Sequence, residues 1–170
     1  DTLVRAVADL APRRPSLRLL LVGDGTALPG LVGLAAQLGI ADRLVAPGRL
    51  DRSLAPFCHQ ALDVFVVPRR DTAVTRSVTP LKPIEAAASG RPVVASDLPA
   101  LAESVDHGVT GLLVTPEDPA ALAEALTSLL DDPARAERMG QSGRRWALEE
   151  RTWAANAARY SNLYLSLIHI

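Results

Sequence analysis

Two charged side chains three positions apart, Lys82 and Glu85, open the segment KPIEAAA, and an apolar run, VVAS at 93–96, follows shortly after. Pro80 and Pro83 suit a helix start, because proline in the first turn loses no hydrogen bond. Gly90 and Pro92 mark its stop. The β-branched run then reads as a strand buried in a parallel sheet. A lysine at a helix N-terminus, beside unpaired N–H groups, suits a phosphate. A carboxylate one turn further in suits hydroxyls such as a ribose pair. Each residue also has an ordinary reading. Lys82 is a type that usually sits in solvent, and an acid in a first turn favours the helix dipole. Placed together before an apolar strand, they suggest a site for a nucleoside diphosphate.

The elements that must position this pair alternate along the chain. Residues 3–10 carry Leu3, Val4, Val7 and Leu10 on one helical face. A strand at 17–22 ends in Gly23-Asp24-Gly25, which a tight strand-to-helix turn explains more readily than a nucleotide does. A helix at 28–38 presents Leu31, Leu34, Ala35 and Leu38 and stops at Gly39. A short strand at 44–48 leads into Gly48-Arg49-Leu50. A helix interrupted by Pro56 spans 53–61, and a buried strand spans 63–68. Residues 69–76, with three arginines, read as a loop at the C-terminal end of that strand, where open α/β sheets bind ligands. Arg76 stands nearest the Lys82 segment. Beyond 97 come a short helix to 105, a strand at 111–116, and helices from 118, over 133–149 and over 152–165. The expected fold is α/β: a Rossmann-like, doubly wound parallel sheet of four to six strands, helices on both faces and a helical C-terminal extension.

Composition narrows the function. The 170 residues suffice for one domain with a sizeable core, and a hydrophobic fraction of 48% argues against disorder. A formal net charge of −1 leaves no basic surplus for nucleic acid. The single cysteine, Cys58, excludes an internal disulfide, and three histidines without metal spacing give no metal site to expect. No apolar run reaches the length of a membrane span. A cytoplasmic location is expected, with membrane association only through parts of a longer protein.

The segments VTPLKPIEAAASGRPVVASDLPALAE and GVTGLLVTPEDPAALAEAL resemble the C-terminal half of a family 4 retaining glycosyltransferase of the GT-B fold. The resemblance runs from Leu3 to about Tyr164 and is most specific over 80–116. It implies that residues 1–165 are a nucleotide-sugar-binding domain, truncated at its N-terminal edge; residues 166–170, including His169, are set apart as a non-native tail because an apolar end is a poor terminus for a soluble domain. It implies sugar transfer from a nucleotide diphosphate donor with retention, no metal, and an N-terminal acceptor domain lying elsewhere. In the family two acids stand eight positions apart. Glu85 matches the second, but Ser77 occupies the place of the first. The pattern here, Pro80, Lys82 and Glu85, resembles a subgroup that lacks that first acid.

Carried onto this chain, the resemblance makes Glu85 the ribose ligand. It sets Lys82, with the N–H groups of Leu81 and Ile84, against the diphosphate, Lys82 being the catalytic group. Ser77 and Thr79 line the same loop, and the backbone of Gly48, Arg49 and Leu50 lies along the base. Glu103 becomes a structural acid that holds the loop before the last strand. Trp153, Tyr160 and Tyr164 become anchors onto the N-terminal domain. The rival expectation is a non-catalytic or degenerate nucleotide-binding module. A dinucleotide-binding domain fits poorly, since the glycine fingerprint is incomplete at 23–28.

Overall fold

The computed structural model describes residues 1–168. Five strands are present among them: β1 (Leu19–Val22), β2 (Leu44–Gly48), β3 (Phe65–Val67), β4 (Val93–Ser96) and β5 (Gly111–Val114). All pairings are parallel. The α-helices are α1 (Thr2–Leu10), α2 (Leu28–Gln37), α3 (Ala55–Gln60), α4 (Ala73–Ser77), α5 (Lys82–Ala88), α6 (Pro99–Ala102), α7 (Pro119–Leu130), α8 (Pro133–Glu150) and α9 (Trp153–Ile168).

β4 explains the two-sided packing. All four of its residues are buried, and successive side chains of a strand point to opposite faces. Val94 joins a cluster with Ala6 and Leu10 of α1, Leu122 and Leu126 of α7 and Met139 of α8. Val93 and Ala95 join another with Ala86 of α5, Leu98, Leu101 of α6 and Val105. Helices therefore cover both faces of the three-stranded sheet, as the apolar run VVAS requires. A third cluster sets Val4, Val7 and Ala11 against Leu19, Ala35 and Ile40.

Several expectations are corrected. The sheet is not continuous: β1–β2 form one ladder and β3–β4–β5 another. Residues 69–76 are not simply a loop, because α4 begins at Ala73. Its cap is reciprocal, with the Thr72 hydroxyl accepting from the Thr75 N–H and the Thr75 hydroxyl accepting from the Thr72 N–H. Pro56 does not break a helix. It sits in the first turn of α3, after a 3-10 turn at Arg52–Leu54. Leu38 was expected on the buried face of α2 but is exposed; Ala35 is the buried residue of that helix. The last helix runs to Ile168, past the expected end at 165, while His169 and Ile170 of the expected tail lie outside the described residues. No helix among the described residues is long and apolar enough to cross a membrane.

Candidate functional site

α5 has one buried and one open face. Pro83, Ala86 and Ala87 are buried, whereas Lys82 and Glu85 are exposed and Ile84 is half-buried. Positions i and i+3 share a helical face, so the ammonium and the carboxylate stand together. Neither side chain has a hydrogen bond or ion pair among the described residues. Leu81 stands beside them, 66% exposed although apolar, with Val78 also exposed.

Lys82 is the first residue of α5, and Leu81 before it already has helical angles, φ −76° and ψ −22°. A residue ahead of proline is biased away from the helical region, but burial of the Pro83 ring draws the turn in. The Glu85 N–H donates to the Leu81 carbonyl at 3.0 Å. The N–H groups of Leu81, Lys82 and Ile84 have no acceptor among the described residues. Pro83 carries no N–H, so the mouth of the helix offers three donors, two of them the expected ones.

The 78–81 loop is pinned at its first two residues. The Arg69 guanidinium donates to the Val78 carbonyl at 2.7 Å, while the Arg69 carbonyl, just past the end of β3, accepts at 2.8 Å from Oγ of Ser96, the last residue of β4. Thr79 Oγ1 donates to Glu103 Oε2 at 2.7 Å. The Glu103 carbonyl in turn accepts from the Arg151 guanidinium at 2.7 Å, and Arg151 stacks over the Trp146 ring, 4.9 Å from its centroid. Glu103 is thus structural, but its carboxylate holds the loop before α5 instead of the loop before β5. Arg69 and Arg151 were not expected in this support, since no local pattern ties position 69 to 78 or 103 to 151.

Ser77 ends α4, its hydroxyl donating to the Ala73 carbonyl at 3.0 Å. Arg76 is held by both oxygens of Asp71, at 2.6 and 2.7 Å. The Arg76 guanidinium draws the Asp71 carboxyl below its ordinary value, and the carboxylate raises Arg76. Arg76 is therefore committed to the start of α4 and is not a free cation beside Lys82.

Gly48 closes β2 with φ +77°, a conformation that favours glycine. Its carbonyl accepts from the Gly23 N–H at 2.9 Å. A Cβ at Gly48 would meet nothing within 4 Å, so the space above it is open. Arg49 is exposed and Leu50 half-buried. Asp51 follows, accepting from the N–H and hydroxyl of Ser53, both of which lower its carboxyl. Gly48 ends β2 of the two-stranded ladder, and α5 connects β3 to β4 of the three-stranded one. Trp153, Tyr160 and Tyr164 are exposed, Trp153 by 89%.

Comparison with known proteins decides the family. Residues 1–146 match the sequence profile described as glycosyl transferases group 1. The chain belongs to this glycosyltransferase family. It is 37% identical over 165 residues to a GDP-mannose-dependent alpha-(1-6)-phosphatidylinositol monomannoside mannosyltransferase of Mycolicibacterium smegmatis, covering 96% of this chain and 43% of that one. Among solved structures, sucrose-phosphate synthase from Thermosynechococcus elongatus superposes with a TM-score of 0.79 at 31% identity, over 99% of this chain and 43% of that one. The Anabaena protein HepE, crystallised with UDP, superposes with a TM-score of 0.74 at 25% identity, over 97% of this chain and 44% of that one. The fold is that of GT-B glycosyltransferases. The group 1 chain described here spans less than half the length of the curated relatives it matches.

Proposed function

We propose that this chain is the donor-binding half of a retaining hexosyltransferase, with residues 1–165 holding a nucleotide-diphosphate-sugar and a further domain of the same protein presenting the acceptor. The observation that carries the reading is the pair Lys82 and Glu85, exposed and unpartnered on one face of α5, at the strand edge where open α/β folds bind ligands. An unpaired cation and anion three residues apart gain little from each other in water, whereas a nucleoside diphosphate offers both of them partners. A relative named for GDP-mannose and a structural neighbour crystallised with UDP support a nucleotide-linked donor.

Glu85 accepts hydrogen bonds from the ribose hydroxyls. The Leu81, Lys82 and Ile84 N–H groups and the Lys82 ammonium face the diphosphate, and Gly48-Arg49-Leu50 lies along the base. As the bond from the anomeric carbon to the phosphate oxygen breaks, its electron pair stays on the diphosphate. Lys82 meets that charge and matters more in the transition state than in the ground state. In this reading no metal is required. α9 docks on the acceptor domain through Trp153, Tyr160 and Tyr164, and the isolated chain binds donor without turning it over.

The test has two arms. Calorimetry with UDP, GDP and ADP measures binding to the 170-residue chain. In the full-length parent, Lys82→Ala lowers turnover by roughly a hundredfold, as loss of one positioned electrostatic group does, and Lys82→Arg restores only part of it. Unchanged turnover in Lys82→Ala removes Lys82 from the chemistry, and sugar transfer by the isolated chain refutes the half-enzyme reading. A non-catalytic module is the second reading. Ser77 favours it, because its hydroxyl is spent on the Ala73 carbonyl where the family carries an acid. Sugar transfer by the parent rejects it.

A further inference from the structure

We infer that Arg69 is a positioning residue for Lys82, fixing from the sheet the loop that presents the ammonium; this rests on the role proposed for Lys82 in sugar transfer. The residues between α4 and α5, Val78 to Leu81, gain little from apolar packing. Val78 and Leu81 are 51% and 66% exposed, and neither belongs to a core cluster. A segment with few buried apolar contacts opens readily. Its place must then come from polar bonds, and two side chains supply them: Arg69 to the Val78 carbonyl, and Thr79 to Glu103.

Of the two, only Arg69 is tied to the strands. Its N–H donates to the Val67 carbonyl at 3.1 Å, which turns the chain directly off β3. Its carbonyl accepts from the Ser96 hydroxyl, and Ser96 is 2% exposed on a strand buried along its whole length. The backbone of Arg69 is therefore held on both sides, by β3 and by β4. From that fixed base its half-buried guanidinium reaches the Val78 carbonyl at 2.7 Å, a charge-assisted bond of the stronger class. The bond from Thr79 joins two exposed side chains and ends at the cap of α6.

Lys82 stands between two anchors. After it, the buried Pro83 ring holds α5 from within. Before it, Thr79, Pro80 and Leu81 lead back to Val78. Pro80 has a fixed φ, and Leu81 is already helical. That path is short and stiff, so a shift of Val78 is carried to the first residue of the helix. The ammonium has no partner among the described residues, so its aim follows the backbone. Misplacing a reacting group by about 1 Å can cost roughly a hundredfold in rate. With Pro83 still in place, loss of the Arg69 bond is expected to cost less, about tenfold.

Steady-state kinetics of the full-length parent test this. Arg69→Met keeps an aliphatic stem and removes the donors. It lowers kcat about tenfold and leaves the donor KM nearly unchanged, because Lys82 acts more in the transition state than in the ground state. Arg69→Lys, which retains a donor, restores part of the loss. In the Lys82→Ala background Arg69→Met has no further effect, since the two act by one route. An equal fall in both backgrounds overturns the inference in favour of direct contact between Arg69 and the donor. A raised KM with kcat kept overturns it in favour of a general structural role. Native turnover in Arg69→Met beside impaired Lys82→Ala overturns it and leaves the reading of Lys82 standing; native turnover in Lys82→Ala refutes both. NMR of the 170-residue chain gives a readout free of catalysis. The Leu81 and Lys82 amide signals shift in Arg69→Met, and by less in Arg69→Lys, while those of β4 keep their places. Unmoved Leu81 and Lys82 signals overturn the inference whatever the kinetics show.

Discussion

Gly140 and Gly143 lie on one helix, three residues apart, and their alanine substitutions are expected to change stability in opposite directions. α8 packs across the end of α5 through both. A Cβ at Gly140 would sit 2.2 Å from the Gly90 carbonyl oxygen and 2.9 Å from its carbon. A carbon ordinarily approaches a carbonyl oxygen no closer than about 3.3 Å, so the helices must part by roughly 1 Å. Gly90 cannot yield freely, because it holds φ +74° and its N–H closes α5 on the Ala87 carbonyl at 2.8 Å. Overpacking against backbone falls at the upper end of the usual range, about 3 kcal/mol. Replacing glycine in a helix interior returns about 1 kcal/mol. Gly140→Ala is therefore expected to lose about 2 kcal/mol, which for a domain of this size lowers Tm by about 4–8 °C. At Gly143 the new Cβ meets Ala87 Cβ at 3.4 Å, an ordinary contact. There the propensity gain prevails, about 0.5–1 kcal/mol of added stability. Urea denaturation followed by far-UV circular dichroism measures both. If Gly140→Ala is as stable as the native chain, or if the two variants shift together, α8 does not rest on Gly90 as described.

Two further substitutions probe the site and its support. Under the proposed function, Glu85→Gln keeps shape but weakens acceptance from two ribose hydroxyls; nucleotide affinity is then expected to fall about tenfold, with Tm almost unmoved. A fall in stability without loss of affinity would instead make Glu85 a helix-start residue only. The pH dependence of α4 rests on Asp71. Its carboxyl is lowered in the folded chain, first by the hydrogen bond from Arg76. The ordering this pair supplies is thus complete above the usual carboxylate value, about 3.9, and is lost as pH falls through the lower folded value. Carboxyl-detected NMR should find Asp71 titrating below its ordinary range and returning to it in Arg76→Gln; an unaltered titration in that variant would mean the pair does not form in solution.

What could be read from the sequence was what local chemistry signals strongly. Pro83, Gly90 and Pro92 bound α5 closely, and VVAS is buried on both faces. α4 escaped because five residues are too short for an apolar period; the Thr72-x-x-Thr75 cap was its only local sign. Lys82 proved helical although its neighbour Pro83 argued for an extended residue, because burial of that ring outweighs the local bias. The break in the sheet is a statement about which strands are neighbours, and strand periodicity carries no such information. The bonds from Arg69 to Val78 and from Thr79 to Glu103 join residues nine and twenty-four positions apart. Nothing in residue type alone selects those partners.

The Arg151 contact has a mechanical consequence. Arg151 is the residue at which α8 gives way to α9. Its guanidinium grips the Glu103 carbonyl, and the Glu103 side chain grips Thr79, two positions from Leu81. Whatever swings α9 about this joint pulls on the loop that sets the free N–H groups at the start of α5. Any coupling between movement of α9 and occupancy of the α5 mouth through this joint is bound by reciprocity to be the same in both directions. The joint ties the start of the C-terminal helix to the loop that leads into α5.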